Sequence, residues 1–354
     1  MCQSVSVPTT EKRHETSRLS RVWRMMHARR RSSFRAGTAV SLSSFATSLL
    51  VVAFACVASL RFSSWLPFVM PLGVASASSR TYVPAWYVYD VDNTRFDNTA
   101  WTYGTDYALT MIMLCISASC MTSGDDRSSL KLRIYSSALL ACYGASTLAG
   151  GYAHQHYSGV DALNTVAFRS CWTATVGNVA FASAFMGLIG REVQVAFGVP
   201  GTMPLGPWWF WPVYGAYMAV ACGLGYMSYK RPACDIFIAG ITQFPTTAYC
   251  ILALGLRKWP SSSSESSSSC GGDPASPIDL VRLPYRMMYY IGFVGNSPLL
   301  PMYPLLVQYS GMSLGAINAL LHAWLMTMWG MQGISLIHLI KAIGSYESKV
   351  SKKC

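Results

Sequence analysis

Two polar residues stand one helical turn apart, as Asn318 and His322, inside an apolar stretch long enough to cross a bilayer. Polar groups within a membrane span are expensive and usually face a bundle interior, a water cavity or a ligand. At 100° per residue, Trp329 and Gln332 lie within about 40° of the direction of Asn318. One face of this helix carries an amide, an imidazole, an indole and a second amide, so we expect it to line a cavity.

A second polar stripe ends at His154. Tyr143, Thr147, Gly150 and His154 share one face of an earlier apolar segment. Small residues beside this stripe allow membrane helices to approach closely. We expect Thr147 to line the same cavity. Topology places His154 on the side of the membrane from which the last span enters, so the two polar stripes are predicted to meet at one depth.

Charged residues occupy that level as well. Asp106 and Arg169 each open an apolar segment, and Asp161 follows His154 in a short loop. A set of two imidazoles, an amide and two carboxylates suits a Zn²⁺ ion with an activated water. The metal ligands are predicted to be His154, His322 and Asn318. Asp161 and Asp106 are predicted to be the catalytic carboxylates, as the base or as the group that orients a ligand.

A purely structural role is also open to these residues. A single histidine in a bundle is often an interhelical hydrogen-bonding group, and the two histidines come from different helices rather than from one preset motif. Asp106 with Arg169 also suits a structural ion pair that holds helix ends together. Both alternatives remain open from the sequence.

Composition predicts the elements that position these side chains. Hydrophobic residues make up 52% of the chain and charged residues only 12%, and the mean hydropathy is +0.31. These values are typical of an all-α, multi-pass transmembrane helical bundle. Apolar stretches of spanning length fall near 38–60, 103–121, 134–152, 168–190, 208–228, 233–255, 286–308 and 315–342. We expect the last seven to form the core, with the seventh kinked or discontinuous at its prolines.

The amino-terminal region differs from the core. Residues 1–37 form a basic arm with nine lysines and arginines against two glutamates, a net of +7 out of +12 for the chain. Since an apolar run follows, the arm indicates a topology determinant or targeting segment rather than a nucleic-acid partner. Residues 38–79 are predicted to be either a cleavable leader, with a small-residue cleavage pattern at 74–78, or a signal anchor.

Loop charges set the expected orientation, because lysine and arginine collect on the cytoplasmic side of short loops. Residues 80–102 are predicted to be extracytoplasmic and residues 103–342 to form the seven-helix membrane domain. A Ser-rich loop at 259–277 is predicted to be disordered, and residues 343–354 form a cytosolic tail. We expect an integral protein of an endomembrane or organelle whose partners are membrane lipids.

Three short motifs resemble those of the CREST superfamily, which includes the alkaline ceramidases. They are Thr105-Asp106-Tyr107, Gly150-Gly151-Tyr152-Ala153-His154 and Asn318-x-x-x-His322. This chain is similar to a divergent branch of that superfamily over roughly residues 100–342. The resemblance implies zinc-dependent hydrolysis of a lipid amide or related bond, with His154 as the first ligand and His322 as the last.

The chain departs from the family pattern at two positions. Asn318 stands where a ligand histidine is expected, and Gly150 stands where a serine is expected. Because an amide is a poor zinc ligand, His156 or Asp161 is needed to complete a metal shell. A degenerate relative without catalysis also fits this pattern.

The residues of the last span bear on other classes of seven-helix protein. A retinal protein needs a lysine midway along the last helix, and the lysine of this helix, Lys341, is at its far end. A transporter would typically show internal repeats, and none is evident. The alternative to a hydrolase is a non-enzymatic receptor, sensor or small-solute carrier, in which the histidines and Asn318 pack or bind a ligand.

The loop that carries Arg127, Lys131 and Arg133 is predicted to face the cytosol. A glycosylation tag inserted in this loop is therefore expected to stay unmodified, whereas the same tag within 80–102 should acquire a glycan. Gel mobility before and after endoglycosidase treatment measures both. A glycan on the 127–133 loop would reverse the predicted topology.

Overall fold

The computed structural model describes residues 96–124, 129–197, 205–227, 239–240, 242–255 and 280–353. Every regular element within these ranges is a helix, which confirms the prediction of an all-helical protein. The predictions for 1–37, for 38–79, for the Ser-rich loop at 259–277 and for residues 80–95 lie outside the described residues.

Helices follow one another along the chain with short connections where these are described. They are α1 (Ala100–Thr122), α2 (Leu130–His156), α3 (Val160–Leu163), α4 (Val166–Phe197), α5 (Phe210–Met227), α6 (Phe244–Gly255), α7 (Leu283–Val294), α8 (Leu299–Tyr309) and α9 (Leu314–Lys353). By length and composition α1, α4 and the Leu314–Tyr346 part of α9 can each cross a membrane. The chain therefore has the helices of an integral membrane protein.

Helix packing brings the first and the last described helices, α1 and α9, into contact. α1 packs on α2, α2 packs on α4, and α4 packs on α5 and α6. α9 returns to lie against α1 and α7, with smaller contacts to α2 and α8. The start of α1, the end of α2 and the start of α9 consequently meet at one end of the bundle, which is where the sequence placed the polar stripes.

The apolar segment at 286–308 is discontinuous, as its prolines predicted. α7 ends at Val294, a turn occupies 295–298, and α8 begins at Leu299. Pro298 stands directly before α8, where a missing amide proton costs nothing. The indole Nε1 of Trp324 on α9 donates to the Gly295 carbonyl at 2.7 Å. A side chain from α9 thus satisfies a backbone acceptor that the break leaves exposed.

Two segments show how helix ends relate to the predicted spans. α9 continues through 343–353, the predicted tail. In the described part of the predicted span 233–255, residues 239–240 are helical, 242–243 form a turn and α6 begins at Phe244. Apolar runs do not define helix ends, because a helix continues through polar residues for as long as its backbone hydrogen bonds are satisfied.

The close contact between α7 and α9 requires a glycine at position 292. A Cβ atom added at Gly292 would lie 2.6 Å from the backbone nitrogen of Gln332 and 2.9 Å from the Met328 carbonyl oxygen. Both neighbours are backbone atoms, which cannot rotate away. The two helices therefore pack backbone to backbone at this point, as small residues permit in membrane bundles.

We expect Gly292→Ala to lower the free energy of unfolding by about 1–3 kcal/mol, because the added methyl forces α7 and α9 apart. Intrinsic-fluorescence thermal denaturation of the detergent-purified protein measures the change. Gly177→Ala on α4 is the matched control, because an added Cβ there meets nothing within 4 Å. Equal melting temperatures for the two variants would contradict the close approach.

Candidate functional site

The His322 ring is held between two neighbouring residues of α1. Its Nδ1 lies 2.8 Å from the Thr105 hydroxyl oxygen, and its Nε2 lies 3.4 Å from Asp106 Oδ1. The side chain of His322 is 17% exposed and that of Asp106 is 6% exposed. An imidazole that is partly accessible therefore sits between a hydroxyl and a buried carboxylate at the junction of α1 and α9.

Asp106 is also packed against the glycine pair of α2. A Cβ added at Gly151 would lie 2.9 Å from the Asp106 Cβ, and one added at Gly150 would lie 3.8 Å from Asp106 Oδ2. The Gly-Gly-x-x-His motif thus has a physical basis in this protein: it leaves room for a carboxylate from α1.

Asp97 lies just before α1 and forms hydrogen bonds with residues of α1, α2 and α9. Its carboxylate accepts hydrogen bonds from the Thr99 amide and hydroxyl, from the Thr102 hydroxyl and from Asn318 Nδ2 on α9. Its backbone carbonyl lies 2.6 Å from His154 Nδ1 at the end of α2. Asn318 is consequently a donor to this carboxylate, and His154 is a donor to the same residue's main chain.

The His154 imidazole is enclosed by rings. Phe96 stacks on it with 4.4 Å between centroids and 9° between planes, and Trp172 approaches edge-on at 5.6 Å. His154 lies beyond residue 152, where the predicted span ends. Burial lowers the pKa of His154, and the hydrogen bond to the Asp97 carbonyl acts in the opposite direction. Because a carbonyl only accepts, Nδ1 carries the proton and Nε2 is left as the acceptor nitrogen.

The residues predicted to line a cavity lie deeper in the bundle and face different neighbours. Thr147 is buried on α2 and bonds to the Thr110 hydroxyl of α1 at 2.8 Å. Trp329 stacks on Tyr143 with 4.0 Å between centroids and 4° between planes. Gln332 is fully buried and packs beside α7. They belong to the bundle interior rather than to the His322 site.

Other predicted site residues lie elsewhere in the structure. Asp161 is exposed in the first turn of α3, and His156 is exposed with its ring 4.3 Å from that of Tyr152. Arg169 is buried near the start of α4. Asp106 Oδ1 lies 3.4 Å from His322 Nε2, and the ion pair of Asp106 with Arg169 stays a prediction.

Sequence reasoning gave no role to Asp97 and did not single out the Thr105 hydroxyl. Asp97 fell in a segment predicted to lie in water, where an acid needs no partner. The signal that was available is Asp97-Asn98-Thr99 directly before the first core helix, because short polar side chains at such a position satisfy the free amides of a helix start.

The side chains predicted to bind zinc are engaged with other protein groups. Both nitrogens of His322 contact α1, and Asn318 presents its amide nitrogen to Asp97. Within the described ranges, no three His, Cys, Asp or Glu side chains are grouped so that they could hold a metal ion. The predicted ligands therefore do not fit a zinc site, and no catalytic step proposed below passes through a metal.

Comparison with known proteins adds no constraint. No family model, no curated protein and no solved structure matches this chain. Functional conclusions therefore rest on the arrangement of its own side chains.

Asp97→Ala is expected to lower the free energy of unfolding by about 1–3 kcal/mol, because the donors of Thr102 and Asn318 lose their shared acceptor. Thermal denaturation measured by intrinsic fluorescence gives the shift. Asp161→Ala removes an exposed carboxylate in the first turn of α3 and should change stability by no more than about 0.5 kcal/mol. The interpretation of Asp97 as a three-helix link fails if both variants melt like the wild type.

Proposed function

We propose that the protein is a membrane hydrolase with a seven-helix core, acting on the amide or ester bond of a lipid. The position of His322 between the Thr105 hydroxyl and the Asp106 carboxylate carries the proposal. A hydroxyl, an imidazole and a carboxylate in contact in this order are the parts of a nucleophile, its general base and the group that orients the base. The resemblance to alkaline ceramidases supports the same reaction class.

Proton positions follow from the hydrogen bonds. Thr105 Oγ1 lies 2.6 Å from the Trp101 carbonyl, 2.9 Å from the Thr102 carbonyl and 2.8 Å from His322 Nδ1. A hydroxyl has one proton, so it donates to one of these acceptors at a time. When His322 accepts at Nδ1, its own proton is on Nε2, the nitrogen that faces Asp106 Oδ1.

The reaction takes place in two halves. Thr105 Oγ1 forms a bond to the substrate carbonyl carbon while its proton moves to His322 Nδ1, and Asp106 stabilises the resulting imidazolium. The bond to the leaving amine or alcohol then breaks, and that group takes the proton from Nδ1. Water attacks the acyl-threonine by the same proton transfer, which releases a fatty acid and restores the hydroxyl.

Access to this site is from the side of the bundle. Gly104 is exposed and an added Cβ there meets nothing within 4 Å. Trp101 is 73% exposed, and Met111 is 63% exposed further along α1. A lipid acyl chain can therefore lie along the apolar surface of α1 while its polar carbonyl reaches Thr105, within two turns of the helix start.

A non-enzymatic receptor, sensor or carrier is the second candidate. The observation in its favour is that Asp97 is engaged with His154 and Asn318 in bonds that tie helix ends together. In that case His322 and Asp106 form one more interhelical link, and ligand binding needs no hydroxyl at position 105.

The hydrolase is tested with fluorescent ceramide and a matching fluorescent acyl ester, each presented in vesicles that contain the purified protein. Wild-type protein is expected to release labelled fatty acid from at least one of them. His322→Gln and Thr105→Val should lower the rate by about 10²–10⁴-fold, because the first removes the base that accepts the proton and the second removes the nucleophilic hydroxyl. Thr105→Ser keeps the hydroxyl and should retain activity.

Thr327→Val is the matched control. Thr327 is exposed on α9 and its hydroxyl donates within its own helix, to the Ala323 carbonyl at 2.9 Å, so the variant should keep the wild-type rate. No release from either substrate, or an unchanged rate in Thr105→Val, would exclude the proposed nucleophile. Activity abolished by a zinc chelator and restored by zinc would assign the reaction to a metal instead.

A further inference from the structure

Gln332 is a fully buried amide in the middle of α9. Neither its Nε2 nor its Oε1 has a hydrogen-bond partner among the residues that the structure describes. Burying an amide without partners costs several kcal/mol when the surroundings are apolar. A third atom in the described part of the chain, Asn296 Oδ1, is likewise buried and without a partner.

These two side chains belong to one helix interface. α7 and α9 run antiparallel: a Cβ added at Gly292 would meet the Gln332 backbone, and one added at Gly295 would meet the Met328 side chain. Asn296 is therefore about one turn from Gln332 toward the start of α9. Side chains on a helix lean toward its amino end, so the Gln332 amide extends toward the level of Asn296.

The donor and acceptor inventory identifies the occupant. Gln332 Nε2 offers protons, whereas Gln332 Oε1 and Asn296 Oδ1 each accept one. A single molecule with two donors and an acceptor complements all three atoms. Water has this inventory and the size that a packed helix interface admits, and waters restore hydrogen bonds at breaks in membrane helices.

We propose that an internal water-binding site lies between Gln332 of α9 and Asn296 at the α7–α8 break. The water donates to Gln332 Oε1 and Asn296 Oδ1 and accepts from Gln332 Nε2. On this account the discontinuous helix is held against α9 from two sides: Trp324 bonds to the Gly295 carbonyl, and the water bonds to Asn296. The site is separate from His322 and independent of the hydrolase.

Hydroxyl-radical footprinting with X-rays in H₂¹⁸O tests the site, because radicals formed from an internal water label the buried residues beside it. Met328 is 7% exposed and lies at this interface. Met186 on α4 is 1% exposed, with its sulfur accepting from Thr246 and Thr247, and is the matched buried methionine. We expect several-fold more ¹⁸O label on Met328 than on Met186 in the full-length wild-type protein.

Gln332→Leu should bring labelling of Met328 down to that of Met186, since it removes two of the three partners of the water. Gln332→Met is the alternative variant if the leucine variant does not fold, because it keeps the length of the side chain. Equal labelling of Met328 and Met186 in the wild type would overturn the proposal. Label on Met328 that survives both substitutions at Gln332 would overturn it too.

Discussion

The contact between Asp106 and His322 constrains the whole end of the bundle at which α1 and α9 begin. A carboxylate between apolar helices is tolerated only when a partner compensates for its burial. The partner comes from a helix more than two hundred residues further along the chain, so α1 and α9 must be neighbours. The glycine pair of α2 must also lie opposite Asp106, because a larger residue at position 151 meets its Cβ.

Around this contact, Asp97 provides a second set of connections. It accepts from the first turn of α1 and from Asn318 on α9, and its carbonyl fixes His154. Two sets of contacts therefore lie at this end of the bundle. The hydrogen bonds around Asp97 link residues of α1, α2 and α9, whereas the Asp106–His322 contact joins α1 and α9 and leaves the His322 ring partly exposed beside the Thr105 hydroxyl. This difference separates a structural cluster from a site at which chemistry is possible.

Much of this arrangement was predictable from the sequence. Helical spacing and alternating topology placed His154, Asn318, His322 and Asp106 near one end of the bundle, and the structure brings them there through Asp97. The contact of Asp106 with His322 was not predictable, because a sequence does not say which polar group of another helix comes within reach of a buried carboxyl group. Helical angle also assigned Trp329 and Gln332 to the face of His322, although that face is wide enough to contact α2 and α7 as well as α1.

The close contact between Gly151 and Asp106 limits which substitutions evolution can accept at either position. Any side chain at position 151 collides with the Asp106 Cβ, so a replacement of the glycine becomes tolerable only after position 106 has itself become glycine or the two helices have separated. A change at position 106 that removes the carboxylate deprives His322 of its partner. Substitutions at positions 106, 151 and 322 are therefore interdependent, and related chains should exchange these three residues together or keep them all.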